Sequence, residues 1–173
     1  MKGERLRVIG IDPGLTTTGY GIIERTGSEL RPVAYGVLRT APSEPPAVRL
    51  AELQEMLAGV LGDFAPDVAA MERLFFNSNV RTAMSVGQAS GVMLATLGRA
   101  GIVPVMYTPP EVKQSVVGVG NADKRQVQAM TARVLGLSQP PRPADAADAC
   151  ALAICHLNRS GYTQAVATSG GAR

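Results

Sequence analysis

Two short apolar segments, Leu6–Ile11 and Val68–Met71, constrain this chain more than any other feature. Both are mostly apolar and rich in β-branched or small residues, with Arg7 the one charge, and are stopped by turn residues or a carboxylate, the pattern of a buried strand. Between them Val48, Leu50, Leu53, Leu57, Val60, Leu61 and Phe64 recur at helical spacing, and Pro66-Asp67 ends that helix. A strand, a crossover helix and a second strand pair in parallel, with their carboxyl ends at one edge of the sheet. Asp12 follows the first strand and Glu72 the second. Two carboxylates sixty positions apart are therefore expected side by side, at the edge where α/β sheets place ligands.

The remaining segments fill in the same architecture. Asp12-Pro13-Gly14 is a tight turn, after which Gly19–Glu24 and Leu30–Arg39 read as strands in an antiparallel meander with the first. Pro42–Pro46 is a loop. Val80–Gly98 reads as a second helix, with Val80, Met84, Gly87, Gly91, Leu94 and Ala95 along one face. Ile102–Tyr107 is a fifth strand. Helices are expected over Glu111–Val117, over Asp123–Leu135 and from Ala144 to about Asn158, the last behind a proline-rich connector. This order predicts an α/β fold of three layers: a five-stranded mixed sheet with helices on both faces. Residues 1–160 form one domain in this reading, and 161–173 a small, polar, disordered tail.

Composition narrows the function classes. With 46% hydrophobic and 18% charged residues, the 173-residue chain can bury a core, which excludes wholesale disorder. No apolar run approaches the ~20 residues of a membrane span, and no apolar stretch follows the charged N-terminus, so a cytoplasmic protein is expected. Cys150 and Cys155, five apart on a helix, form neither a metal pair nor a disulfide framework. The single histidine, His156, makes a zinc site or a serine-type triad a poor fit. The net charge of +3 arises entirely within residues 101–173, and 14 of the 17 basic residues are arginine, which suits pairing with carboxylates or phosphates.

Asp145 and Asp148 lie three apart on the last helix and face one way, on the stripe that Ala149, Leu152 and His156 continue inward. Each acid has an ordinary alternative. Asp12 can end a turn, Asp145 can favour the helix dipole, and Glu72 can pair with Arg73 or Arg81. Together, three elements direct four carboxylates at one place, and a divalent cation relieves the repulsion. Hard oxygen donors select Mg²⁺ or Mn²⁺ rather than zinc.

These residues carry a resemblance. Ile9-Gly10-Ile11-Asp12-Pro13-Gly14 with Thr18-Gly19-Tyr20-Gly21, Met71-Glu72-Arg73-Leu74-Phe75 and Val86-Gly87-Gln88-Ala89 with Gly91-Val92 are three of its parts. Val112-Lys113-Gln114-Ser115-Val116-Val117-Gly118 and Ala144-Asp145-Ala146-Ala147-Asp148-Ala149 complete it. In this order they resemble the RuvC family of bacterial Holliday junction endonucleases (crossover junction endodeoxyribonucleases), within the ribonuclease H-like superfamily.

The resemblance implies a structure-selective, metal-dependent endonuclease of recombination and DNA repair. A homodimer would resolve a four-way DNA junction by two symmetric nicks, leaving 5′-phosphate and 3′-hydroxyl ends. It matches Asp12, Glu72, Asp145 and Asp148 to the family's catalytic and metal-binding acids; some relatives carry histidine at the third position. Two Mg²⁺ ions about 3.5–4 Å apart, or Mn²⁺ in their place, need no histidine base, and Asp12 is the best candidate for a shared ligand. Lys113 and Lys124 match lysines near the DNA backbone, with Arg125 beside them. Phe75 matches an aromatic that meets the junction, although Phe76 competes for that role. The Gly87–Gly91 helix is implied in the dimer interface, with packing on its own sheet as the alternative. The RuvA–RuvB branch-migration complex is the implied partner.

Two other classes fit less well. An Asp-x-Gly-x-Thr turn also opens the phosphate loop of actin-like ATPases, but those need two such lobes. A non-enzymatic junction-binding module would not need all four carboxylates.

Overall fold

The computed structural model describes residues 5–73 and 80–170. The meander forms as its spacing requires: β1 (Arg5–Asp12), β2 (Thr17–Thr26) and β3 (Glu29–Arg39) pair antiparallel in sequence order. Helix α1 (Pro46–Phe64) crosses over to β4 (Val68–Glu72), which pairs in parallel with β1. Helix α2 (Val80–Arg99) leads to β5 (Val105–Tyr107), parallel to β4, and gives the sheet order β3-β2-β1-β4-β5. Helices α3 (Pro109–Val117), α4 (Lys124–Val134) and α5 (Ala144–Gly170) follow.

The sheet separates two cores. Ile9, Ile11, Ala69 and Met71 point to one face and pack with Leu53, Leu57, Met93 and Leu97 of α1 and α2. Val8, Ala70 and Tyr107 point to the other, with Val112, Val127, Ile154 and their neighbours from α3, α4 and α5. Strand alternation thus sends Gly10 and Asp12, and likewise Ala70 and Glu72, toward α5. Among the described residues, no helix is long and apolar enough to cross a membrane.

Several boundaries differ from the sequence expectation. β5 begins at Val105 rather than Ile102, because Gly101 takes a left-handed φ of 75° and Ile102 is held by the α2 terminus through Leu97. α3 starts two residues early, since Thr108 and Glu111 form a reciprocal capping box around Pro109-Pro110. α5 runs through Gly170 instead of ending near Asn158. On α1, Val48 was expected to face inward but is 43% exposed, and Arg49 is the buried residue.

The α2 face carrying Met84, Gly87, Gly91, Leu94 and Ala95 does not pack on the sheet. Ala89, Met93 and Leu97 do that, while Met84 is 61% exposed and a Cβ at Gly87 or Gly91 would meet open space.

Candidate active site

The first two carboxylates are placed by the sheet. Ile11 and Met71 are partners in the parallel β1–β4 pair, and Asp12 and Glu72 stand one residue beyond them on the same face. Each side chain is half-buried. Glu72 has no ion-pair partner among the described residues, and Arg73 beside it is exposed.

The other two are delivered by a helix lying directly on glycines. An ideal Cβ on Gly10 would sit 1.9 Å from the Ala149 carbonyl oxygen, and one on Gly19 would sit 2.0 Å from that of Asp145. A Cβ on Gly21 would meet the Cys150 sulfur at 2.6 Å. Gly10 and Gly21 are register partners, as are Asp12 and Gly19, so the three form a trough across β1 and β2. Helix α5 lies in that trough at backbone contact, and its first turns bring Asp145 and Asp148 to the level of Asp12. Both acids are half-buried; Ala149 and Leu152 continue inward as expected.

The four charges act on one another. Asp12 is pushed up from an ordinary value of 3.8 to about 7, first by burial, then by Glu72, Asp148 and Asp145, with Lys124 opposing. Burial and Asp148 also raise Glu72, again against Lys124. Lys124 Nζ donates to Asp148 Oδ2 at 2.7 Å, and this bond holds its own pKa high. Among the described residues, Lys124 is the cation that lowers both Asp12 and Glu72 against the repulsion of the carboxylate set. Among the described residues, no three Asp, Glu, His or Cys side chains close into a ready set of metal ligands. The donor chemistry still fits a hard divalent cation: acidic oxygens only, partly buried and short of positive charge.

Beside them opens a cavity of about 260 Å³, rimmed by Glu72, Asp148, Lys113 and Lys124 and floored by Val112, Val127 and Leu152. Lys113 thus joins the site, whereas Arg125 is an exposed neighbour of Lys124. Asp123 caps the α4 N-terminus, its Oδ1 accepting from the Gln126 amide at 2.9 Å, so a carboxylate already stands there. Phe75 and Phe76 lie outside the described residues. A larger cavity, about 590 Å³, sits between the C-terminal ends of α1 and α2 and has no carboxylate in its lining.

His156 is engaged elsewhere: its Nδ1 shares a hydrogen bond with the Tyr107 hydroxyl at 2.8 Å, and burial and Arg25 lower its pKa. The two cysteines are free and buried, with Cys150 pushed up to about 12 by burial. Sequence reasoning missed Tyr107, the register partner of Glu72, and the Thr16–Thr40–Arg49 group beneath the turn after Asp12. The one signal for the latter was a charged residue inside the apolar period of α1.

The family described as crossover junction endodeoxyribonuclease RuvC matches this chain over residues 8–156. The chain belongs to that family. A crossover junction endodeoxyribonuclease RuvC of Salinispora arenicola is 49% identical over 165 residues, covering 95% of this chain and 94% of the relative. One from Chloroflexus aggregans is 51% identical over 151 residues, covering 87% and 92%. Among solved structures, a T. thermophilus RuvC in complex with a Holliday junction substrate aligns with a TM-score of 0.83 at 33% identity, covering 91% of this chain and 96% of that one. The architecture is thus the ribonuclease H-like fold that the resemblance implied, and its five-stranded mixed sheet is the one expected from the strand and helix order.

Proposed function

We propose that this chain is a Holliday junction resolvase, hydrolysing one phosphodiester in each of two symmetry-related strands of a four-way DNA junction. The observation that carries the chemistry is the convergence of Asp12, Glu72, Asp145 and Asp148 at one half-buried place, where burial first and the neighbouring carboxylates second push Asp12 to about 7. The substrate follows from family membership.

Asp12, Glu72, Asp145 and Asp148 would hold Mg²⁺, two ions per site, with Mn²⁺ as a substitute. Bound there, the metal supplies an activated water and charge stabilisation for the leaving 3′-oxygen. The chain's own residues do the rest. Burial and crowding raise the proton affinity of Asp12 and Glu72, and a bound cation would relieve both effects. Lys124 holds Asp148 and offsets part of the repulsion. Lys113 and Lys124 on the cavity rim, with Arg125 outside it, bind the DNA backbone, and the apolar floor excludes water beside the scissile group. Phe75 meets the unpaired bases at the crossover.

Two symmetric cuts need two sites, and the open α2 face with Met84, Gly87, Gly91 and Leu94 suits a second copy of the chain, since its glycines permit close helix approach. The RuvA–RuvB complex is the proposed partner of that homodimer, in the cytoplasm. The domain spans residues 1–160.

The test is incubation of the pure protein with synthetic four-way junctions, Y-forks and linear duplex, in Mg²⁺, Mn²⁺ or chelator. Paired nicks in junctions alone, dependent on metal, support the proposal. Equal cutting of duplex, or cutting in chelator, contradicts it.

A further inference from the structure

The turn from β1 into β2 decides where Asp12 ends, and a buried cation grips that turn from outside. Arg49 is only 8% exposed, and among the described residues no carboxylate lies at ion-pair distance from it. Its Nε donates to Thr40 Oγ1 at 2.9 Å and its Nη2 to Thr16 Oγ1 at 2.7 Å. The Thr40 hydroxyl donates onward to the Leu15 carbonyl at 2.6 Å, and the Thr40 amide to the Thr16 carbonyl at 3.2 Å. From within the turn, the Thr18 hydroxyl accepts from the Gly14 amide at 3.2 Å and donates to the Gly14 carbonyl at 2.7 Å. Gly14, Leu15 and Thr16, the residues that follow Asp12-Pro13, are each held by at least one of these bonds.

Burying a guanidinium without an anion is costly, and a leucine would fill the same place in the α1 stripe. What a leucine lacks is the rigid fork of N–H donors that reaches two hydroxyls at once. One of those hydroxyls belongs to the turn and the other to the end of β3. The group therefore ties three segments together directly beneath the β1 carboxyl end.

We propose that Arg49 is a positioning residue for Asp12. Through Thr16 and Thr40 it locks the turn so that the Asp12 carboxylate stays opposite Glu72 and α5. Arg49 touches neither metal nor DNA in this scheme; it acts through the backbone of residues 14–16. The inference rests on the four carboxylates being a divalent cation site.

The test compares the parent with Arg49→Gln, Thr16→Val and Thr16→Ser. Thr16 is exposed, so its variants remove or keep one hydroxyl without opening the core. Mn²⁺ binding without DNA is followed by electron paramagnetic resonance, alongside single-turnover cleavage at saturating junction, junction affinity in chelator, and thermal melting. Arg49→Gln and Thr16→Val should weaken Mn²⁺ binding and slow cleavage by about 10–100-fold, the usual range when support behind a ligand is lost. Junction affinity in chelator should stay at the parental value, and Thr16→Ser should restore both Mn²⁺ binding and rate. A folded Thr16→Val protein with parental Mn²⁺ affinity and rate overturns the inference, as does a lowered melting temperature with Mn²⁺ binding intact in Arg49→Gln. A parent that binds no Mn²⁺ overturns the carboxylate-site reading itself, and the positioning role with it.

Discussion

Replacing Asp12 with asparagine should stabilise the metal-free protein, and increasingly so as pH rises. The Asp12 carboxyl ionises near 3.8 in an ordinary setting and at about 7 in the folded protein. Between those values the folded chain keeps a proton that the unfolded chain has lost, so stability falls as pH rises and levels off above about 7. From pH 5 to pH 8 the loss amounts to about 3 kcal/mol, at 1.36 kcal/mol per unit over the part of the window that is crossed. In a chain of this length that is roughly 5–10 °C in melting temperature. Asparagine has the same shape and no charge, so this part of the slope disappears. The assay is thermal melting of parent and Asp12→Asn in chelator across that pH range, repeated with saturating Mg²⁺. The gap in favour of the variant should widen by about that amount in chelator and close when Mg²⁺ binds the parent. A gap that stays constant with pH, or a variant less stable than the parent at pH 8, refutes the claim that burial, joined by repulsion from the neighbouring carboxylates, sets the Asp12 proton affinity.

Three further outcomes follow from the geometry. Gly19→Ala places a Cβ 2.0 Å from the Asp145 carbonyl oxygen, so α5 must shift and cleavage should fall about 100-fold while the circular dichroism spectrum stays parental; a rate within threefold of parent would remove the trough argument. Lys113→Gln should weaken binding to all junction sequences alike and flatten the slope of log K against log salt by about 0.9, read from titrations at several salt concentrations; an unchanged slope would take Lys113 off the DNA. Met84→Arg on the open α2 face should give a monomer by light scattering and abolish paired cuts, and an intact dimer would place the interface elsewhere.

The sheet edge was legible because its two strands carry short-range signals: apolar runs, a turn at Pro13-Gly14 and a crossover helix of the right length. Those fix Asp12 beside Glu72 without reference to anything distant. The approach of α5 was not legible in the same way. Gly10, Gly19 and Gly21 read individually as weak strand residues, and their value depends on a helix more than a hundred residues later settling into them. Arg49 was hidden for a related reason: period alone assigned Val48 to the core, whereas the hydroxyls of Thr16 and Thr40 reward an arginine one position later. The two possible roles of the Gly87–Gly91 face were indistinguishable in sequence, because small residues suit a sheet and a partner helix equally. Only the packing of Ala89, Met93 and Leu97 shows that the sheet already has its face.

The account stands on the four carboxylates acting as one metal-dependent centre. Its most direct test is single-turnover junction cleavage in Mg²⁺ by Asp12→Asn, Glu72→Gln and Asp148→Asn, with junction affinity measured on the same preparations. All three should bind junctions as the parent does and fail to nick them. Near-parental cleavage by any one of them would contradict the account.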